Sequence, residues 1–240
     1  TPIFVMTDLD IGMNHRLCEP LDWDDGRSYD RGKVMTEADL ESGKDFGRYL
    51  DVDDDGIPYR TLPGTHPSKG AYFTRGTTRD AYARYSEAGP DYMYNVTRLL
   101  KKFETAKELV PQPVLRKAAR ETRFGAIYYG STSPAMTEAF DTLQAKGVHI
   151  DALRVRAFPF SASVDRFIAQ HEKVFVIEQN RDAQLRMLLV NEQEINPAQL
   201  EPILHYDGTP ITARFIIEEI AKHVRADNVE PIRKKKGKAA

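Results

Sequence analysis

Phe124-Gly125-Ala126-Ile127-Tyr128-Tyr129 and Val174-Phe175-Val176-Ile177-Glu178-Gln179-Asn180 bracket the stretch whose reading decides the fold. The first is a short apolar run of the kind found in a strand buried on both faces. Gly130 breaks it, and Ser131-Thr132-Ser133 supplies hydroxyls that can cap a helix opened by Pro134. On that helix Met136, Ala139, Phe140 and Leu143 recur at three- and four-residue spacing and give one apolar face. Lys146-Gly147 ends it, with a cation on the last turn and a glycine past the end. Val148 to Val155 reads as the next strand, Ser163 to Ala169 as the next helix, and Val174 to Ile177 as the strand after that. Strand and helix alternating at this spacing predict βαβ units and an open, mainly parallel sheet, hence the α/β class.

Further on, a helix is expected over Asp182 to Val190, with Leu185, Leu188 and Leu189 inward and Asn180 placed to cap it. Asn196-Pro197 predicts a short helical turn, and Leu204-His205-Tyr206 a last short strand. Thr209 can cap a final helix with Pro210 in its first turn. Ile211, Phe215, Ile216 and Ile220 give that helix a buried face.

Towards the start, Ile3-Phe4-Val5-Met6 reads as another apolar strand. A strand buried on both faces needs neighbours, so the sequence is expected to begin inside a domain whose first part is missing. Asp8 and Asp10 would then stand at a strand's carboxyl end, where open α/β sheets bind ligands. Binding a metal or substrate is one reading of them, and bonding to loop amides is the other. Gly12 to Tyr85 is polar, rich in Asp, Gly and Arg, and too long for a structureless loop in a compact domain. Thr36-Glu37-Ala38-Asp39 resembles a capping box. Asp51, Asp53, Asp55 and Gly56 match the first half of a calcium loop, but Leu62 holds the position of the bidentate glutamate. A glycine-terminated hairpin turn accounts for the same residues. Arg60, Arg75 and Arg79 fall in one irregular region and suggest an anion site. His66 between Gly64 and Pro67 is a candidate base. From Gly89-Pro90 a long helix is predicted, with Tyr92, Met93, Val96, Leu99, Leu100, Phe103 and Ala106 as a core-facing stripe. Val110-Pro111-Gln112-Pro113 ends it and marks a domain boundary.

The totals exclude several classes. A net charge of -2 over 240 residues gives no field that favours nucleic acid or a membrane surface. The basic run Arg233 to Lys238 reads as a solvated, disordered tail over residues 226–240. A single cysteine, Cys18, allows no internal disulfide and no cysteine cluster, which fits a reducing, cytoplasmic setting. No apolar run reaches the ~20 residues that span a bilayer.

Five motifs in order carry a resemblance. They are Asp8-Leu9-Asp10-Ile11-Gly12-Met13-Asn14, Asp55-Gly56-Ile57-Pro58-Tyr59-Arg60, Leu62-Pro63-Gly64, Val176-Ile177-Glu178-Gln179-Asn180 and Tyr206-Asp207-Gly208-Thr209-Pro210-Ile211-Thr212. Together they resemble the alpha subunit of 2-oxoacid:ferredoxin oxidoreductases, in particular the 2-oxoglutarate branch. The resemblance implies the end of a thiamine-pyrimidine-binding α/β domain with a long excursion (1–112), followed by a transketolase C-terminal-like domain (113–225). It implies oxidative decarboxylation of a 2-oxoacid to an acyl-CoA, with electrons passed to ferredoxin. Thiamine diphosphate, magnesium and an iron–sulfur cluster are implied for the whole complex, but none is expected to be bound by this part alone, which should be inactive by itself. The implied partners are a beta subunit, the missing N-terminal part of the alpha subunit, coenzyme A and ferredoxin. A 2-oxoglutarate site must pair the distal carboxylate with a cation in a water-poor pocket. Arg60 and Arg75 are the candidate substrate-binding residues, with the loop carrying His15 and Arg16 as a second candidate. No catalytic residue is assigned. A non-catalytic α/β assembly domain is the alternative reading, and a calcium module through Asp51 to Gly56 a third.

Overall fold

The computed structural model describes residues 4–15, 17–193 and 195–224. Along the chain its elements are α1 (Leu9–Met13), α2 (Glu37–Glu41), α3 (Gly89–Leu109), β1 (Val114–Arg116), β2 (Phe124–Tyr129), α4 (Thr132–Ala145), β3 (Asp151–Val155), α5 (Ala162–Ala169), β4 (Lys173–Glu178), α6 (Gln184–Gln193), β5 (Leu200–Leu204) and α7 (Ala213–His223). A 3₁₀ turn, Pro197–Gln199, precedes β5, and the side chain of Asn196 caps it. The chain forms two compact units, Cys18–Val110 and the described residues up to Leu17 together with those from Pro111 onward. The break at Val110 falls beside the proline-rich boundary. Residues 4–15, expected within a first domain of 1–112, group instead with the sheet unit.

The sheet unit is a five-stranded sheet in the order β1-β3-β2-β4-β5. β3, β2, β4 and β5 run parallel, and β1 is an antiparallel edge strand on β3. Successive side chains of a strand point to opposite faces, and the core divides accordingly. Ala126, Tyr128, Phe175 and Ile177 pack with α4 and α7, through Met136, Phe140, Ile216 and Ile220. Ile127, Leu153, Val174 and Val176 pack on the other face with α5 and α6, through Val164, Phe167, Leu185 and Leu189.

Several local expectations change. Phe4, Val5 and Met6 are exposed and lie in no strand, and α1 follows them; Ile3 lies outside the described residues. The strand expected from Val148 is confined to Asp151–Val155. The last strand is Leu200–Leu204 rather than Leu204 to Tyr206, because Pro202 sits opposite Val176 and the ladder stops at Leu204. The final helix starts three residues late: Thr212, not Thr209, accepts from the Phe215 amide. At α4 the expected hydroxyl cap is absent, since Ser131 takes a helical backbone conformation and bonds elsewhere.

Residues 18–110 are built differently. α2 begins at the expected capping box, in which Thr36 and Asp39 exchange hydrogen bonds with each other's backbone amides. Val34 and Arg60 form an isolated parallel bridge, as Arg79 and Tyr85 form an antiparallel one. The acidic turn is therefore no hairpin: its exit pairs with Val34, not with its entry. Asp51 accepts from the Asp55 and Gly56 amides, while Lys33 and Lys101 bond the outer carboxylates. Arg98 donates to the Gly56 carbonyl and Thr105 to that of Asp55, which seats the turn on α3. α3 is the largest departure. Tyr92, Met93, Val96, Leu99, Leu100 and Phe103 are exposed, and its buried residue is Arg98. The face that meets the rest of its own unit is the polar one, which holds the turn.

Candidate functional site

In doubly wound sheets the ligand crevice opens where neighbouring strands send their connections to opposite faces. β2 and β4 are such neighbours. The chain leaves β2 through α4 on one face and leaves β4 through α6 on the other. Their carboxyl ends carry Tyr129-Gly130-Ser131-Thr132 and Glu178-Gln179-Asn180. Gly130, at φ +59°, makes the turn from β2 into α4 in the left-handed region that suits glycine.

Glu178 is fully buried and organises this edge. Its carboxylate accepts from the amides of Leu185 at 2.7 Å and Arg186 at 3.0 Å, and from the Asn180 amide group at 2.8 Å. The charge is thus compensated by the amino end of α6, whose exposed N–H groups and dipole favour an anion. Asn180 also accepts from the Gln184 amide at 3.2 Å, the capping role expected of it. Gln179 bridges the crevice. Its Nε2 donates to Ser131 Oγ at 3.0 Å and Thr132 Oγ1 at 3.3 Å, and its Oε1 accepts from the Ile211 amide at 3.2 Å. Burial, reinforced by the Glu178 charge, pushes the Tyr129 phenol above its ordinary range, so it remains a neutral hydrogen-bonding group.

Two cavities meet at Tyr129 and Gly130. One, of about 290 Å³, is polar and lined by Ser131, Thr132, Gln179, Thr209 and the carboxylates of Asp8 and Asp10. The other, of about 550 Å³, is walled by Val155, Phe158, Phe160, Leu185 and Leu188. The polar wall offers hydroxyls, an amide and carboxylates, groups that can donate to and accept from a bound polar ligand. Asp8 bonds within the chain: it accepts from the Ile11 amide at the start of α1 and also bonds Ser131 at the cavity rim.

The remaining sequence candidates lie on separate local frames. Arg60 donates to the Arg31 carbonyl, and its backbone bonds Lys33 and Met35. Arg75 is exposed, with its guanidinium 5.4 Å from the Tyr85 ring centre. Arg16 lies outside the described residues. His66 is held in one tautomer. Its Nδ1 accepts from the Ser68 and Lys69 amides at 3.0 and 2.9 Å, so Nε2 carries the proton to Glu41. That leaves no free ring nitrogen to act as a base. Gln179's bridge was not read from the sequence, since nothing in strand or helix periodicity marks a side chain that spans two loops.

With this geometry in place, the chain can be set beside known proteins. No protein-family model matches it. It is 28% identical over 185 residues to 2-oxoacid:ferredoxin oxidoreductase 2, subunit alpha, of Aeropyrum pernix. The chain is similar in sequence to that alpha subunit. The likeness takes in 75% of this chain but 27% of the Aeropyrum protein, so the chain spans about a quarter of its curated relative. Among solved structures, the 2-oxoglutarate:ferredoxin oxidoreductase of Magnetococcus marinus, with 2-oxoglutarate, coenzyme A and succinyl-CoA bound, superposes with a TM-score of 0.66 at 22% identity. That match covers 74% of this chain and 30% of that one, and it shows a shared fold.

An alpha-subunit relative raises the question of cofactors. Among the described residues no three His, Cys, Asp or Glu side chains converge as a metal site, and the single cysteine, Cys18, is exposed. Iron–sulfur clusters need several thiolates, and a diphosphate-bound magnesium needs oxygen ligands. A single cysteine cannot supply the thiolates of a cluster. Nor is any helix among the described residues long and apolar enough to cross a membrane.

Proposed function

We propose that this chain is part of the alpha subunit of a thiamine diphosphate-dependent 2-oxoglutarate:ferredoxin oxidoreductase. The complex would convert a 2-oxoacid and coenzyme A to the acyl-CoA and CO2. The two electrons released reduce ferredoxin. The observation that carries this reading is the 28% identity to the Aeropyrum alpha subunit along 185 residues. Thiamine diphosphate, magnesium and the iron–sulfur cluster belong in this proposal to the other parts of the complex, with the beta subunit as direct partner and a cytoplasmic setting. For the distal carboxylate of 2-oxoglutarate the proposed partners are Arg60, Arg75 and Arg16. Guanidinium forks bind carboxylates in bidentate fashion, and removing one such bond costs on the order of 1.5–3 kcal/mol.

The test is co-expression with a beta subunit and the preceding part of an alpha subunit, followed by coenzyme A-dependent reduction of a low-potential dye. Turnover of 2-oxoglutarate but not pyruvate is expected. Replacing Arg60 and Arg75 with methionine should raise KM for 2-oxoglutarate about tenfold or more. An unchanged KM refutes the two arginines. A complex that turns over pyruvate instead refutes the substrate.

A second reading, a non-catalytic α/β assembly domain, is favoured by the exposed stripe from Tyr92 to Phe103. Normal assembly with an α3 stripe made polar would count against it.

A further inference from the structure

Residues 18–110 distribute their charges unevenly. The carboxylates of the acidic turn are served by lysines: Lys33 lies 2.8 Å from Asp53 and 2.7 Å from Asp55, and Lys101 bonds Asp54. The arginines beside them have no such partners. Arg48, Arg79 and Arg98 place their guanidinium carbons 5.5, 5.2 and 5.9 Å from the ring centre of Tyr49. None of the three forms an ion pair among the described residues. Arg98 is 8% exposed and spends one nitrogen on the Gly56 carbonyl, while its Nε is buried without a partner. Arg79 donates to Tyr49 Oη and the Gly76 carbonyl, and its Nε is likewise buried and unpartnered. Arg48 lies between Tyr49 and Tyr72, 5.9 Å from the second ring.

Ring faces offset part of the charge, at roughly 0.5–2 kcal/mol per contact. They do not cancel the mutual repulsion of three cations partly withdrawn from water. The protonation equilibria respond in the same sense. Burial pulls the Arg98 guanidinium down, and the Arg48 charge adds to this against the opposing Tyr94. Burial works to raise the Tyr49 phenol, but bonds from Thr74 and Arg79 and the charges of Arg79 and Arg48 outweigh it and hold it below its usual range. Asp51 is the acid Arg98 senses, but its oxygens already accept from the Asp55 and Gly56 amides.

We propose that Arg48, Arg79 and Arg98, gathered around Tyr49, bind a small oxyanion ligand, a carboxylate or a phosphate, that supplies the negative charge the cluster lacks. Planar guanidinium groups match both oxyanions in bidentate geometry. Arg48, half-buried and without a hydrogen-bond partner among the described residues, is the group left free to meet the ligand. Arg98, the most buried of the three, and Arg79, whose Nε is buried, set the potential. This site is distinct from the Arg60 and Arg75 pair and does not depend on the oxidoreductase reading.

The test uses the full 240-residue chain labelled with nitrogen-15. It is titrated with inorganic phosphate and separately with 2-oxoglutarate, with sodium chloride as the ionic-strength control. The Nε–H resonances of Arg79 and Arg98 should shift saturably with one of the two ligands. Saturation by phosphate alone identifies a phosphate group as the occupant, and saturation by 2-oxoglutarate alone a carboxylate. Arg48→Met should weaken the midpoint about tenfold or more, and Arg48→Lys should recover part of it. Because Arg48 makes no hydrogen bond or ion pair among the described residues, its replacement spares the fold, which an unmoved Gly56 amide resonance verifies. Absent shifts overturn the site. So do shifts that sodium chloride reproduces, or a midpoint that Arg48→Met leaves unchanged.

Discussion

The sheet unit and residues 18–110 solve the same problem by opposite means. In the sheet unit Val174, Phe175, Val176 and Ile177 are wholly removed from water, and the fully buried Glu178 is satisfied by the amino end of α6. In residues 18–110 the buried apolar side chains are Met35, Leu40 and Ala83, too few to form a core. Order there comes from side chains bonded to backbone: Asp51 on its own loop, Thr105 and Arg98 on the turn carbonyls, Thr61 on the Gly70 carbonyl. Apolar burial is non-directional and tolerates small errors of shape, whereas hydrogen-bonded scaffolds depend on individual geometries. The first kind of unit should therefore fail by loss of volume, and the second by loss of single contacts.

The largest effect expected is a loss of volume. Phe175→Ala empties a site with no solvent exposure at the centre of the sheet. Large-to-small changes of this kind cost about 3–5 kcal/mol. Denaturant unfolding followed by far-UV circular dichroism should show that loss. A cost below about 1 kcal/mol would mean the sheet core is loosely packed, and the contrast would collapse.

Next comes a change that removes nothing. Gly56 has φ +78°, and a Cβ there would stand 2.4 Å from the Lys102 nitrogen and 2.8 Å from the Arg98 carbonyl oxygen of α3. Both obstacles are helix backbone, which cannot swing aside. Gly56→Ala should cost about 2–4 kcal/mol, from left-handed strain plus the clash. Faster amide exchange at Asp55 and Gly56 is the readout, and unchanged exchange would show that the turn does not rest on α3 as described.

The same contrast explains what the sequence reveals. β2, β4, α4 and α5 are legible because continuous apolar runs and 3.6-residue spacing report burial directly. The apolar stripe of α3 is just as periodic, yet it is exposed here. Periodicity tells that a helix has an apolar face, not that the covering surface belongs to the same chain. Phe4 to Met6 mislead for a related reason, since an apolar run needs neighbouring strands before it can become one. At the candidate crevice, the strand ends Gly130 and Glu178 to Asn180 are visible as punctuation after apolar runs. Gln179's bridge to Ser131 and Ile211 is not, because it joins residues more than thirty positions apart through one side chain. Arg48, Arg79 and Arg98 come from three separate segments, and only their shared approach to Tyr49 gives them meaning.

A smaller effect is expected at α2. Thr36 accepts from the Asp39 amide at 3.2 Å, and Asp39 returns a bond to the Thr36 amide at 2.8 Å. Thr36→Ala removes the first of these and should cost about 1 kcal/mol. Leu40, buried on this helix, should become more accessible to exchange. If Thr36→Ala costs as much as Phe175→Ala, single contacts and core volume are not separable in this chain.

The smallest effect is electrostatic. Bonding to Lys33 holds the Asp53 carboxyl below its ordinary value of 3.8. Burial opposes the same effect at Asp55, but Lys33 and the Ile57 amide outweigh it. Depressed carboxylates contribute stability above their ordinary value, and that contribution is lost as pH falls further below it. Burial also opposes the shift at Lys33, yet its bonds to Asp53 and Asp55 raise it above 10.5. A raised lysine contributes fully below its ordinary value and loses that contribution as pH climbs through the higher folded one. The acidic turn should thus be tightest between about pH 4 and 10.5. Because Asp53 and Lys33 both reach solvent, added salt should narrow the difference between plateau and edges. Exchange protection of the Ile57 amide, followed across pH, is the measurement. In Lys33→Met the plateau should flatten at both edges. A profile identical to that of the unaltered chain would mean that the loop amides bonded to Asp51 alone hold the turn.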